Sequence, residues 1–163
     1  MRHPIDLSVY LVLDPDLCGG AQGMIETTRA AVHNGATCVQ LRAPHWKKRA
    51  LVECGRALKS VLADFNVPLI INDHADVCLA VDAEGLHIGQ DDLSPLDARA
   101  IIGNVKILGL SVSNAQELSA VDTHLVDHLG IGPIFSTSTK PDASAALGLD
   151  GFAALASRKP CPV

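Results

Sequence analysis

Short apolar runs and stretches of helical period alternate along the whole chain, and few folds accept that order. Leu7 to Leu13 reads LSVYLVL, nearly continuous in apolar residues, as a strand buried on both faces should be. Ala36 to Leu41, Val67 to Ile71, Gly85 to Ile88, Lys106 to Leu110 and Val126 to Ile131 repeat the pattern, with His128 interrupting the last. Pro162-Val163 begins a seventh run. Between these runs lie helices. Met24, Ile25, Thr28, Ala31 and Val32 keep helical spacing, and Gly35 stops them. Leu51, Val52, Gly55, Leu58 and Leu62 mark one face of a longer helix, and a short one surrounds Asp76 to Ala80. Ser94 caps the next, with Pro95 first, Asp97 third and Gly103 at its close. Asn114 caps another, with Glu117 reaching back, and Leu149 to Ala156 starts the last.

Strands alternating with helices imply parallel βαβ units, arranged as an open doubly wound sheet or as a (β/α)₈ barrel. No Pro/Ser-rich linker or low-complexity segment divides the chain, so residues 1–163 read as one domain. About six units and the start of a seventh strand fall short of a closed barrel, which needs at least ~200 residues. The expectation is a barrel-type domain that is incomplete at its C-terminal end.

Composition removes several classes of partner. Thirteen Lys and Arg against eighteen Asp and Glu leave a net charge of −5, which offers no electrostatic footprint for nucleic acid. No apolar run approaches the ~20 residues that span a bilayer, and the N-terminal run lacks a small-residue cleavage site. The cysteines, at 18, 38, 54, 78 and 161, are odd in number and free of CxxC pairing, so a reducing cytoplasm is expected. Oligomeric state is left open.

The chemistry gathers where strands end. Gln40 and Arg42 close the second run, Asn72 and Asp73 the third, and Gln90, Asp91 and Asp92 follow the fourth. Ser111 ends the fifth, and Thr137, Thr139 and Lys140 follow the sixth. In parallel α/β proteins those ends share one face, where sites are built. Each piece has a plainer explanation: Asn72-Asp73-His74 as a helix cap, Asp91-Asp92 as a solvated turn, Thr137 to Thr139 as loop. Arg42 is harder to dismiss, because it interrupts an apolar strand end. Two carboxylates, Asp73 and Asp92, with two cations, Arg42 and Lys140, suit a magnesium ion shared with a diphosphate. His124 and His128 are spaced i,i+4 but span a loop and a strand, so they do not form a metal pair. His87 reads as a hydrogen-bonded core residue. GxGxxG and GxxxxGK[ST] are absent.

The stretches YLVLDPDLC, GATCVQLR, PLIINDHADVCLAVDAEGLHIGQDDL, ILGLSVS and GIGPIFSTSTKPDASAALGLDGF resemble the thiamine-phosphate synthase family from Tyr10 onward. The resemblance implies a (β/α)₈ barrel that joins hydroxymethylpyrimidine diphosphate to a thiazole phosphate with release of diphosphate. It implies that Gln40, Leu41, Arg42 and Asn72 contact the pyrimidine diphosphate, as do Ser111 and Lys140, with Arg42, Ser111 and Lys140 catalytic. Asp73 and Asp92 become ligands of Mg²⁺, Thr137, Ser138 and Thr139 hold the thiazole phosphate, and Gly148 belongs to the wall nearby. Three departures stand out. The family's Gln-x-Arg-x-Lys reads Gln40-Leu41-Arg42-Ala43-Pro44, so one diphosphate cation is missing; Ser113 replaces a frequent histidine; and the loops after strands seven and eight are not present. The alternatives are a thiazole tautomerase-like barrel, a non-catalytic pyrimidine-diphosphate-binding remnant, and a fragment with no folded state.

Overall fold

The computed structural model describes residues 5–137 and 144–163. Its elements follow the order β1 (Tyr10–Leu13), α1 (Pro15–Cys18), α2 (Gly20–His33), β2 (Cys38–Leu41), α3 (Lys48–Ala63), β3 (Leu69–Asn72) and α4 (Ala75–Ala80). Then come β4 (Gly85–Ile88), α5 (Pro95–Ile102), β5 (Ile107–Val112), α6 (Ala115–Ser119), β6 (His128–Ile131) and α7 (Gly148–Ala156). Every pairing is parallel, and the strands lie in the order β1-β2-β3-β4-β5-β6. A doubly wound sheet reverses its order at a switch point. This one runs in a single direction, which removes that alternative.

Several boundaries differ from the sequence expectation. The first strand starts at Tyr10, not Leu7, and Val12 is 47% exposed, so this edge strand is not buried on both faces. The short α1 was not expected. Asp14 caps it by accepting from the Asp16 and Leu17 N–H groups, with Pro15 opening the turn. Pro162-Val163 forms no strand, although the Pro162 carbonyl accepts the Leu129 N–H along the edge of β6. Ser94 caps α5 as its sequence implies, accepting from Asp97 N. Asn114 likewise caps α6, but Glu117 reaches back to the Ser113 N–H and hydroxyl rather than to the cap residue's own N–H.

The sheet separates two environments. Its helix side carries Leu41, Leu69, Ile71, Leu86, Leu108 and Leu129, which join Leu51, Leu58 and Leu62 of α3 in the main core. The opposite, inner side carries a small cluster of Cys38, Ile70 and Ile107 with Tyr10 against it. Glycines make room there. Gly85 lies between Ile70 and Ile107 in register, and a Cβ at that position would come 2.7 Å from the Ile70 Cδ1. Gly109 lies between His87 and His128, whose rings would both collide with an added Cβ. Overpacking of this kind typically costs about 1–3 kcal/mol. Gly109→Ala is therefore expected to lower the unfolding free energy by about that amount in urea titrations with an unchanged slope.

Candidate active site

Register builds the site from the inside outward. Asn72 pairs with His87, His87 with Gly109, and Gly109 with His128, so their side chains share the inner face at one level. Gln40 pairs with Val12 and Ile70 one level below, and Ser111 pairs with Gly130 one level above. Polar residues thus replace apolar ones on this face as the strands approach their carboxyl ends.

The inner groups hold one another. Gln40 is only 4% exposed and donates through Nε2 to the Tyr10 hydroxyl at 2.8 Å. That bond leaves its carbonyl oxygen as the remaining acceptor. Burial raises the Tyr10 pKa, and the phenol stays neutral. His87 Nε2 lies 3.0 Å from the Ser111 Oγ, and Gln90 donates to the Ser111 carbonyl at 2.6 Å. Ser111 is therefore fixed through both side chain and backbone. Ser111 and Gln90 lie at the strand ends as the sequence implies, and His87 is the hydrogen-bonded core residue that its alternation in the strand implies.

The rim lies just beyond. Arg42 Nη1 is 3.7 Å from Asp14 Oδ2, and both side chains are 16% exposed. Asp14, the cap of α1, went unnoticed in the sequence because it reads as an ordinary turn acid. Leu41 is 1% exposed in the helix-side core, so only its backbone faces this region. Asp73 follows β3 with φ of 62°, and its N–H donates to the His87 carbonyl at 2.8 Å. Asp92, on the next loop, is exposed and accepts the Gly89 N–H through Oδ2 at 2.7 Å. Next to Asp73 in the chain, His74 has its Nδ1 3.2 Å from the Lys48 Nζ, which also pairs with Asp76 at 2.7 Å. Burial, then the Lys48 charge, lowers the His74 pKa, while Asp76 and, less strongly, Asp92 act on it in the opposite sense. Thr137 is exposed, whereas Ser138, Thr139 and Lys140 lie outside the described residues. Gly148 opens α7 with φ of 67° and donates to the Ile134 carbonyl at 2.9 Å, which brings it beside the loop after β6.

The sequence profile described as thiamine monophosphate synthase matches residues 9–163. The chain belongs to the thiamine monophosphate synthase family. It is 55% identical over 148 residues to the thiamine-phosphate synthase of Xanthobacter autotrophicus, covering 91% of this chain and 70% of that protein. It is 52% identical over 163 residues to the thiamine-phosphate synthase of Azorhizobium caulinodans, covering 100% and 76% respectively. Among solved structures it resembles the thiamine phosphate pyrophosphorylase from Pyrococcus furiosus, with a TM-score of 0.81 and 28% identity. That match covers 95% of this chain and 72% of the other.

One member of the inner layer is held at a cost. His128 is 3% exposed and packs 5.8 Å from the Tyr10 ring and 5.5 Å from His87, centroid to centroid. Neither of its ring nitrogens has a hydrogen-bond partner among the described residues. Burial depresses its pKa to about 4, against a smaller opposing effect of Asp127. The unfolded chain then takes up this proton first. The contribution to stability is thus retained above the unfolded value, near 6.5, and lost as pH falls toward the folded one. This linkage is on the order of 3 kcal/mol. His128→Phe is expected to lose less stability than the parent between pH 7 and pH 4 by about that amount, measured by urea unfolding at each pH.

Proposed function

We propose that this chain is a thiamine-phosphate synthase, built on a (β/α)₈ barrel plan as a single domain and working in the cytoplasm. Its substrates are hydroxymethylpyrimidine diphosphate and hydroxyethylthiazole phosphate, and its products thiamine phosphate and diphosphate. The observation that carries this reading is the gathering of Gln40, Arg42, Asn72, Asp73, Asp92 and Ser111 at the carboxyl ends of four adjacent strands, β2 to β5, or on the loops that follow them. A tautomerase-like reading does not need two carboxylates there.

The donor set fits magnesium. Asp73 and Asp92 offer hard oxygen ligands from neighbouring loops. Magnesium commonly takes one or two carboxylates and completes its octahedron with water and phosphate oxygens. When bound, the ion supplies positive charge that neutralises the departing diphosphate.

The remaining work falls to the chain's own residues. Gln40 and Asn72 orient the pyrimidine from the inner face. Arg42, aimed by Asp14, presents a planar fork to phosphate oxygens. Ser111, fixed by His87 and by Gln90, donates to the same group, and Lys140 adds a further charge. Thr137, Ser138, Thr139 and Gly148 form the thiazole-phosphate side. The carbon–oxygen bond to diphosphate breaks first, and the thiazole nitrogen attacks the resulting pyrimidine cation. Positioning and charge stabilisation therefore dominate.

The test incubates both substrates with Mg²⁺ and follows thiamine phosphate and diphosphate in equal amounts. Removing one such stabilising group typically costs ~3 kcal/mol, or about a hundredfold in rate. Asp92→Ala and Arg42→Met are each expected to reduce kcat by about that factor. Pro44, where the family carries a cation, favours a second reading: binding without turnover. Pyrimidine diphosphate bound in calorimetry with no product formed would select it. Failure of both substrates to bind would overturn the synthase reading.

A further inference from the structure

The loop after β2 lacks the cation that its family pattern places two residues beyond Arg42, because Pro44 stands there. The nearest cations along the chain are Lys47, which caps α3, and Lys48, its first residue. The Lys48 side chain crosses from α3 to the loop after β3. Its ammonium donates to His74 Nδ1 at 3.2 Å and to Asp76 Oδ1 at 2.7 Å, 26 and 28 residues away in sequence. His74 directly follows Asp73, and its ring also lies in the field of Asp92. One ammonium group therefore links the start of α3, which follows the loop of Arg42, to the start of α4, which follows Asp73.

We propose that Lys48 supplies the diphosphate-binding cation that Pro44 cannot, held ready by His74 and Asp76 over the rim between β2 and β3. The proposal rests on the synthase reading above and adds a residue that the family pattern does not contain. Geometry and energetics favour it together. The Lys48 and Asp76 side chains are 55% and 65% exposed, and an ion pair that exposed contributes little to stability. Sharing the ammonium with a phosphate oxygen therefore gives up little. The first turn of α3 holds Lys48 and Arg49 after the Lys47 cap, with no acid and no side-chain cap bond. Cations there oppose the helix dipole, and a polyanion at the rim offsets that repulsion.

Calorimetric titration of the 163-residue chain with inorganic pyrophosphate in the presence of Mg²⁺ tests this. A charge-assisted hydrogen bond corresponds to about a ten- to hundredfold change in affinity. Lys48→Met is expected to weaken binding by at least about tenfold, with Lys48→Arg recovering most of it. Lys47→Met serves as the neighbouring control and is expected to stay within about threefold of the parent. An unchanged melting temperature in Lys48→Met excludes a structural cause. Parent-like binding by Lys48→Met, or an equal loss in Lys47→Met, overturns the role of Lys48 alone. Failure of the parent chain to bind pyrophosphate overturns the synthase reading as well.

Discussion

The register of β2 through β5 decides where this chain can do chemistry. Parallel strands wound in one direction end on one rim, and residues at matched register share a face. Asn72, His87 and His128 fall on one level of the inner face, with Ser111 just above. Such a layer needs space, and Gly109 and Gly130 provide it by presenting no side chain beside the two histidines. A slip of one residue would turn Asn72 and His87 toward the helices and bring Leu86 and Leu110 to the rim. The apolar contacts that fix the register therefore also aim the polar groups.

The two rims of the sheet use charge differently. Near the strand beginnings, the buried Arg99 donates to the Leu125, Gly103 and Lys106 carbonyls and pairs with Asp127 at 2.6 Å. Lys59 joins the Asp82 carbonyl to Glu84, whose other oxygen accepts the Leu69 N–H. These groups saturate backbone atoms of loops and strand starts, which is structural work. At the strand ends, charges meet other side chains at the starts of the following helices or on the loops before them, as Arg42 meets Asp14 and Lys48 meets Asp76. Pairs of that kind can exchange a partner for a ligand without leaving a buried carbonyl unsatisfied.

Much of this was legible in the amino-acid order, and the gaps have physical causes. Gly85–Ile88 was placed to the residue, and α5 was bracketed by Ser94, Pro95 and Gly103, because caps and breakers act locally. The first strand starts later than its apolar run because residues 8 and 9 form a turn, with the Ser8 N–H held by Asp6 and Val9 bonded to Thr37 ahead of the ladder; apolar character alone does not make a strand. The four residues of α1 are too few to show a period. At the rim, residue types showed which chemistry was possible. They did not show that Asp14 faces Arg42, or that Lys48 rather than a residue of its own loop reaches His74. Those are long-range facts set by how neighbouring βα units pack.

Asp73 shows how the rim is kept ready. A residue other than glycine at φ of 62° is uncommon, and Asp tolerates it better than most because its short side chain bonds locally. The conformation persists because backbone bonds hold both sides of it. Asp73 N–H donates to the His87 carbonyl of the next strand, and His74 N–H donates to the Asn72 carbonyl at 2.7 Å. The first of these ties the loop after β3 directly to the strand that leads into the loop of Asp92. Asp92, though exposed, has one carboxylate oxygen bonded to the Gly89 N–H, which ties its side chain to its own loop.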